Sequence, residues 1–425
     1  MKHPDPLRPR SYLHFDERPP RAVLEALVSN PEKVAHWQFH PLLCTNIKSK
    51  KIKSKNRLLR TFQTKEKPRL ICYASHHDAA LYATYAQQLN KAYEPLIQSL
   101  GFDTCITAFR SSTGRCNVHF AYECFEWIKA TSPCVALAFD ISGFFDTLDH
   151  KILKKTWSEV LGVGHLPKDH YALFRSLTRF SLVERDKAYA AFEISKHNPW
   201  ANGRKRVCTA EQFRKRIAKP GLILTNREEY GIPQGTPISA VLSNIYMLDF
   251  DRQLSQFIAD RGGLYRRYCD DILCVVSESY AAETKVEVER LIKSVKLTIQ
   301  PEKLDEVAFD KDGLAPKALQ YLGLTFDGQR VLLRPSGIGR FYSRMRAGVR
   351  VAGCARRKAA ERQGIAKAKL PIRRAKLYRQ YSYRGRRNFL TYAMRAAKIT
   401  DSKPIKSQVS RHWSVLQAEI RDEDT

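Results

Sequence analysis

The chain has 425 residues, 43% of them hydrophobic and 10% aromatic, which supports sizeable cores and excludes a disordered composition. A formal net charge of +30 opposes compaction unless a polyanion or strong solvation offsets it, and nucleic acid is the usual partner. No apolar run approaches 18 residues and the first residues lack a signal-peptide core, so a cytoplasmic protein with no membrane contact is expected.

Taken in chain order, residues 1 to about 62 are Pro- and Lys-rich and predict small helices ending in a basic loop. Arg69 to Tyr73 is a short strand pattern, and Asp78 to Leu100 has helical periodicity through Leu81, Tyr85 and Leu89. Cys134 to Phe139 is a continuous apolar run of strand length. Asp149 predicts an N-cap for a helix over 150–161. Thr236 and Pro237 suit the cap and first position of a helix running to about Ile258. Leu264–Tyr268 and Ile272–Val276 are apolar or aromatic runs around Cys-Asp-Asp, a β-hairpin pattern. Another helix is expected over 281–295, and from Gly337 onward basic helices are broken near Gly364 and Gly385.

The charge is concentrated. Arg334 to Arg411 holds 23 Lys and Arg against Glu361 and Asp401, and Lys48 to Arg69 holds ten against Glu66. Two basic arms around a less basic centre predict a groove for a nucleic-acid backbone and a separate chemical site. Ten scattered cysteines form no C-x-x-C pair and no zinc spacing, and are read as free thiols of a reducing compartment.

Asp140 ends the buried apolar strand in Phe139-Asp140-Ile-Ser-Gly-Phe-Phe-Asp, where an unpaired carboxylate is costly. The hairpin Tyr268-Cys-Asp-Asp271 offers two more acids. Brought together, three carboxylates would repel unless divalent cations sat between them, an arrangement suited to two-metal phosphoryl transfer. Ordinary turn acids are the bland alternative. Gly231-Ile-Pro-Gln-Gly-Thr-Pro-Ile-Ser239 is a tight, backbone-exposing turn that opens a helix.

The order of these segments, followed by Pro301-Glu-Lys303 and Gln320-Tyr-Leu-Gly-Leu324, resembles the palm of reverse transcriptases over roughly residues 63–335. The bacterial branch with group II intron and retron enzymes is the most similar. The resemblance implies an α+β right-hand polymerase of fingers, palm and thumb, with an antiparallel palm sheet and a basic helical C-terminal thumb. Residues 1–62 would form an N-terminal extension, 63–134 the fingers, 135–330 the palm with a fingers or helical insertion around 162–228, and 331–425 the thumb.

The same resemblance implies roles. Asp140, Asp270 and Asp271 would be catalytic and, with the Ile141 carbonyl, would hold two Mg²⁺ ions, for which Mn²⁺ could substitute. Lys65, Arg69, Arg110, Phe145, Gln234, Gly235 and Lys303 would bind the nucleotide. Among these, Phe145 would be the steric gate against a ribose 2′-hydroxyl, and Lys303 a proton donor to pyrophosphate. Leu322, Gly323 and Leu324 resemble the primer grip. The partners implied are an RNA template, the DNA product and deoxynucleoside triphosphates.

Tyr268-Cys-Asp-Asp271 and Arg384-Gly-Arg-Arg-Asn-Phe-Leu-Thr-Tyr392 are similar to the defence-associated reverse transcriptases of the unknown group, class 2. That likeness implies antiphage defence with a partner non-coding RNA as template. A retron-type enzyme and a non-catalytic, maturase-like RNA-binding protein are the alternatives. The complete set of acids speaks against the second.

Overall fold

The structure is a computed structural model that describes residues 5–56, 61–110, 113–300, 302, 304–366 and 370–424, with backbone only over 48–56 and 61–67. Its strands are β1 (Leu42–Asn56), β2 (Thr61–Tyr73), β3 (Cys134–Asp140), β4 (Ser181–Glu184), β5 (Ile223–Thr225) and β6 (Leu264–Tyr268). They continue with β7 (Asp271–Val276), β8 (Asp305–Phe309), β9 (Leu319–Tyr321), β10 (Leu324–Phe326) and β11 (Val331–Leu333). Two compact units share them: residues 1–112, 141–256 and 287–299 form the first, and 113–140, 257–286 and 300–425 the second.

In the first unit the sheet order is β2-β1-β4-β5, with β1 antiparallel to β2 and parallel to β4. The basic stretch expected as a loop is instead this long hairpin. Lysine-rich composition mimics a loop, whereas pairing over most of the two strands satisfies the backbone groups. Cys44 faces Cys72 across that pairing, their Cα atoms 4.1 Å apart, and the two form a disulfide. The expectation of ten free thiols is thereby corrected; the other eight cysteines are free. A helix over His76–Ser99 follows, capped by the Ser75 hydroxyl and burying Leu81, Tyr85, Leu89, Tyr93 and Ile97. Asp149 caps His150–Val160 as the sequence predicts, accepting from the Lys151 and Ile152 amides.

The helix expected from Thr236 to Ile258 is two, Ser239–Tyr246 and Leu248–Ala259. Its start falls at Ser239, behind an Ile238 N-cap whose side chain makes no capping hydrogen bond. The Ser239 hydroxyl then turns back on the Pro233 carbonyl at 2.6 Å.

In the second unit β6-β7-β3-β8 is an antiparallel four-stranded sheet, and β11-β10-β9 a smaller antiparallel one. The helix Asn117–Thr131 packs Val118, Ala121, Phe125 and Ile128 into a core with Ala136 of β3, Leu273 and Val275 of β7 and Phe326 of β10. The C-terminal helices extend the same core through Phe341, Met345, Leu377, Tyr381, Leu390 and Leu416. Their breaks fall where glycine is required: Gly364 is a left-handed C-cap (φ 63°), and a Cβ on Gly385 would overlap the Arg379 carbonyl. The antiparallel sheet and helical C-terminal region expected of a right-hand polymerase are both present. No helix among the described residues is long and apolar enough to cross a membrane.

Candidate active site

Asp140 closes β3, whose first four residues are all buried. β7 runs beside it in a register that sets Phe139 against Ile272 and Asp140 against Asp271. Opposed residues on antiparallel strands have Cβ atoms about 4.5–5.5 Å apart, so these two residues share one face at this end of the sheet. Tyr268 pairs with Asp271 across β6 and β7, which leaves Cys269 and Asp270 as a two-residue turn. Cys269 takes the left-handed conformation (φ 60°), and Asp270 stands next to it in the turn. All three aspartates are half-buried.

The donor chemistry suits a hard divalent cation, which prefers carboxylate oxygens to sulfur. Burial, and then the Asp270 charge, push the Cys269 thiol up to about 12, so it stays protonated and offers no thiolate. Burial likewise raises the Tyr268 hydroxyl. Among the described residues no group of three or more His, Cys, Asp or Glu side chains is gathered as a metal site. The register brings Asp140 opposite Asp271, with Asp270 next along the chain. Ile141 is 2% exposed and bridges to Ile299 within the first unit.

Sequence reasoning missed the support beneath this turn. Arg267 is completely buried and its Nη1 donates to the Cys269 carbonyl at 3.1 Å. The available signal was two arginines in succession in a strand: alternation sends Arg266 and Arg267 to opposite faces, so one must enter the interior. Arg266 pairs with Glu123 at 3.0 Å, and Glu123 also accepts Arg115 at 2.6 Å.

Leu322 and Gly323 are the turn between β9 and β10, with φ 47° and 91°. Asn117 donates to the Leu322 carbonyl at 2.8 Å, and the Arg334 amide to the Gly323 carbonyl at 3.0 Å. The turn and Asp271 line a common cavity of about 300 Å³, together with Asn117, Tyr268 and Arg334. Leu324 is fully buried in the core, so its side chain supports the turn from within. Asn117 and Arg334 could not be identified beforehand, because Asn117 lies 205 residues from its partner.

The remaining expected residues, Lys303 apart, lie in the first unit. Of the adjacent phenylalanines, Phe144 is buried (4% exposed) and Phe145 half-buried, their rings 5.5 Å apart. The Phe145 carbonyl accepts the Ile232 amide at 2.8 Å, tying this turn to the Gly231–Thr236 loop. The Gln234 carbonyl accepts the Cys72 amide at 2.8 Å. A Cβ on Gly235 (φ 111°) would come within 2.5 Å of the Cys72 carbonyl, and one on Gly231 within 2.9 Å of the Asp146 carbonyl. Glycine is required at both, for φ and for close backbone approach.

Arg69 is exposed on β2, opposite Ile47. Arg110 is 8% exposed, and its guanidinium grips Glu94 at 2.6 Å while donating to the Ile106 and Asp103 carbonyls. A fork so engaged holds the Ala108 segment to the helix that carries Glu94. The side chain of Lys65, and Lys303 altogether, lie outside the described residues.

Residues 169–326 match the family described as Reverse transcriptase (RNA-dependent DNA polymerase), a span that includes Asp270 and Asp271 and begins after Asp140. No curated protein matches the chain. Among solved structures, the apo telomerase from Candida tropicalis truncated from its C-terminal domain is similar over 74% of this chain, at 12% identity and a TM-score of 0.44. The chain spans 60% of that telomerase's length. The telomerase from Candida albicans with a fragment of telomeric RNA aligns over 95% of this chain and 68% of its own (12% identity, TM-score 0.42). BmCPV RNA-dependent RNA polymerase aligns over 77% of this chain and 26% of its own (11%, TM-score 0.44). These likenesses are distant. By the family match, residues 169–326 are similar to a reverse transcriptase domain.

Proposed function

We propose that the chain extends a primer 3′ end with deoxynucleotides at Asp140, Asp270 and Asp271, copying a partner non-coding RNA in antiphage defence. The observation that carries the catalytic part is the pairing of Asp140 with Asp271 across β3 and β7. These carboxylates, with the Ile141 carbonyl, would hold two Mg²⁺ ions. Such ions, when bound, lower the pKa of a primer 3′-hydroxyl and neutralise a triphosphate and departing pyrophosphate. The protein's own contribution is position: Cys269 and Arg267 set the turn, and the Leu322-Gly323 turn supports the primer end. Gln234 and Gly235 would lie against the incoming nucleotide, with Arg69, Lys65 and Lys303 on its phosphates. Phe145 would exclude a ribose 2′-hydroxyl, and Phe145→Ala is expected to raise ribonucleotide use by on the order of tenfold to a hundredfold.

Deoxynucleotide incorporation on a primed RNA with Mg²⁺ tests the catalytic reading. Asp270→Ala with Asp271→Ala should abolish it while the melting temperature is kept; equal activity of wild type and double variant would sink the reading. The choice of template is supported by the likeness of Tyr268–Asp271 and Arg384–Tyr392 to class 2 enzymes of the unknown group. Sequencing the RNA that co-purifies with the protein should return one predominant species, and random cellular RNA would contradict that part alone.

A further inference from the structure

A basic, aromatic cavity of about 610 Å³ lies wholly within the first unit and shares no residue with the aspartate cavity. It is lined by Arg18, His76, Trp200, Arg204 and Lys205, with Glu17 and Gly203 at its border. The Arg18 guanidinium stands 5.7 Å from the centre of the Trp200 ring, and Trp200 is 39% exposed. Glu17, the acid of the group, is taken up by Arg206 at 3.5 Å. Among the described residues no carboxylate pairs with Arg18 or Lys205, so the cavity keeps an uncompensated positive charge. His76 is 4% exposed, and neither ring nitrogen has a hydrogen-bond partner among the described residues. Buried polar atoms are nearly always satisfied, so a buried imidazole left unmatched at a cavity wall marks a place where a polar ligand is wanted. His76 and Arg18 also line an adjoining cavity of about 160 Å³ with Arg8 and Arg10, which prolongs the basic surface.

Cations that share a wall with a partly exposed indole match a single nucleic-acid strand, whose phosphates need charge and whose unstacked bases need a flat apolar surface. We infer that this cavity binds single-stranded nucleic acid, with a phosphate among Arg18, Arg204 and Lys205 and a base against Trp200. It would act as an anchoring site for a strand, in addition to the polymerase site proposed above. The residues come from the N-terminal segment and from the 200–205 loop, so the two segments are joined by one ligand.

A photo-crosslinking experiment tests this on the full chain and needs no turnover. A ten-nucleotide RNA carrying 4-thiouridine is irradiated with the protein, and the adducts are located by mass spectrometry of the digest. Adducts are expected in the peptides holding Trp200 and Arg18. Arg204→Glu with Lys205→Glu should reduce them about tenfold or more, leaving adducts in the basic C-terminal helices unchanged. Lys205→Glu alone, at an exposed unpaired side chain, should reduce them severalfold and guards against misfolding of the double variant. No adduct in these peptides, or adducts unchanged in both variants, would overturn the inference. Equal loss on adding uridine monophosphate at the RNA's concentration would overturn it as well, since the site would then take a free nucleotide.

Discussion

Two tight turns in the second unit have the same length and are held by different donors. The turn at Cys269 and Asp270 carries chemical groups and is held from within the protein, by a buried arginine on the Cys269 carbonyl. At Leu322 and Gly323 the turn carries no ionisable group and is held by side chain and backbone alike, through Asn117 and the Arg334 amide. A leucine at φ 47° costs about 1 kcal/mol or more relative to an unstrained position, so this turn keeps its shape only because its partners impose it. Both turns are secured at their carbonyls, and the difference lies in the donor: a buried guanidinium from the adjoining strand at Cys269, a distant side chain and a backbone amide at Leu322 and Gly323.

Three substitutions can break or sharpen that contrast. Arg267→Met should have the largest effect on stability, about 3 kcal/mol by denaturant unfolding, because it removes a buried cation and leaves the Cys269 carbonyl without its donor. Gly323→Val should cost about 2 kcal/mol: φ is 91°, and the added Cβ would lie 3.3 Å from the Tyr392 hydroxyl. Its predicted kinetic signature is a raised KM for primer-template. Asn117→Ala should cost about 1 kcal/mol, chiefly through its bond to the Leu322 carbonyl, with the longer one to the Tyr392 hydroxyl lost as well, again with KM affected before kcat. If Asn117→Ala lowered kcat and left KM alone, the two turns would not divide the work as described.

Much of the carboxylate region was legible because its signals are local. A continuous apolar run ending in an acid became β3, and two runs around Cys-Asp-Asp became the β6-β7 hairpin. Asp149 capped its helix through neighbours two and three residues away. What could not be read depends on partners distant in sequence. That the Arg110 guanidinium is held by Glu94, 16 residues earlier and on another element, could not be read from its own segment. Cys44 and Cys72 became a pair only through the register of a hairpin whose lysines resemble a loop. The aromatic residues of the C-terminal region divided in a way that composition cannot show. Tyr381 is buried, whereas Tyr383 is 64% exposed and lies 5.4 Å from Trp413, over which Arg384 stands at 5.4 Å.

The central claim is that acids on neighbouring strands form one site, and a double-mutant cycle on single-nucleotide incorporation tests it most directly. Asp140→Asn and Asp271→Asn should each lower the rate by at least on the order of a thousandfold, and together by little more than either alone, as groups acting as a unit do. Independent losses that multiply, or a single variant that retains wild-type incorporation, would contradict a shared site.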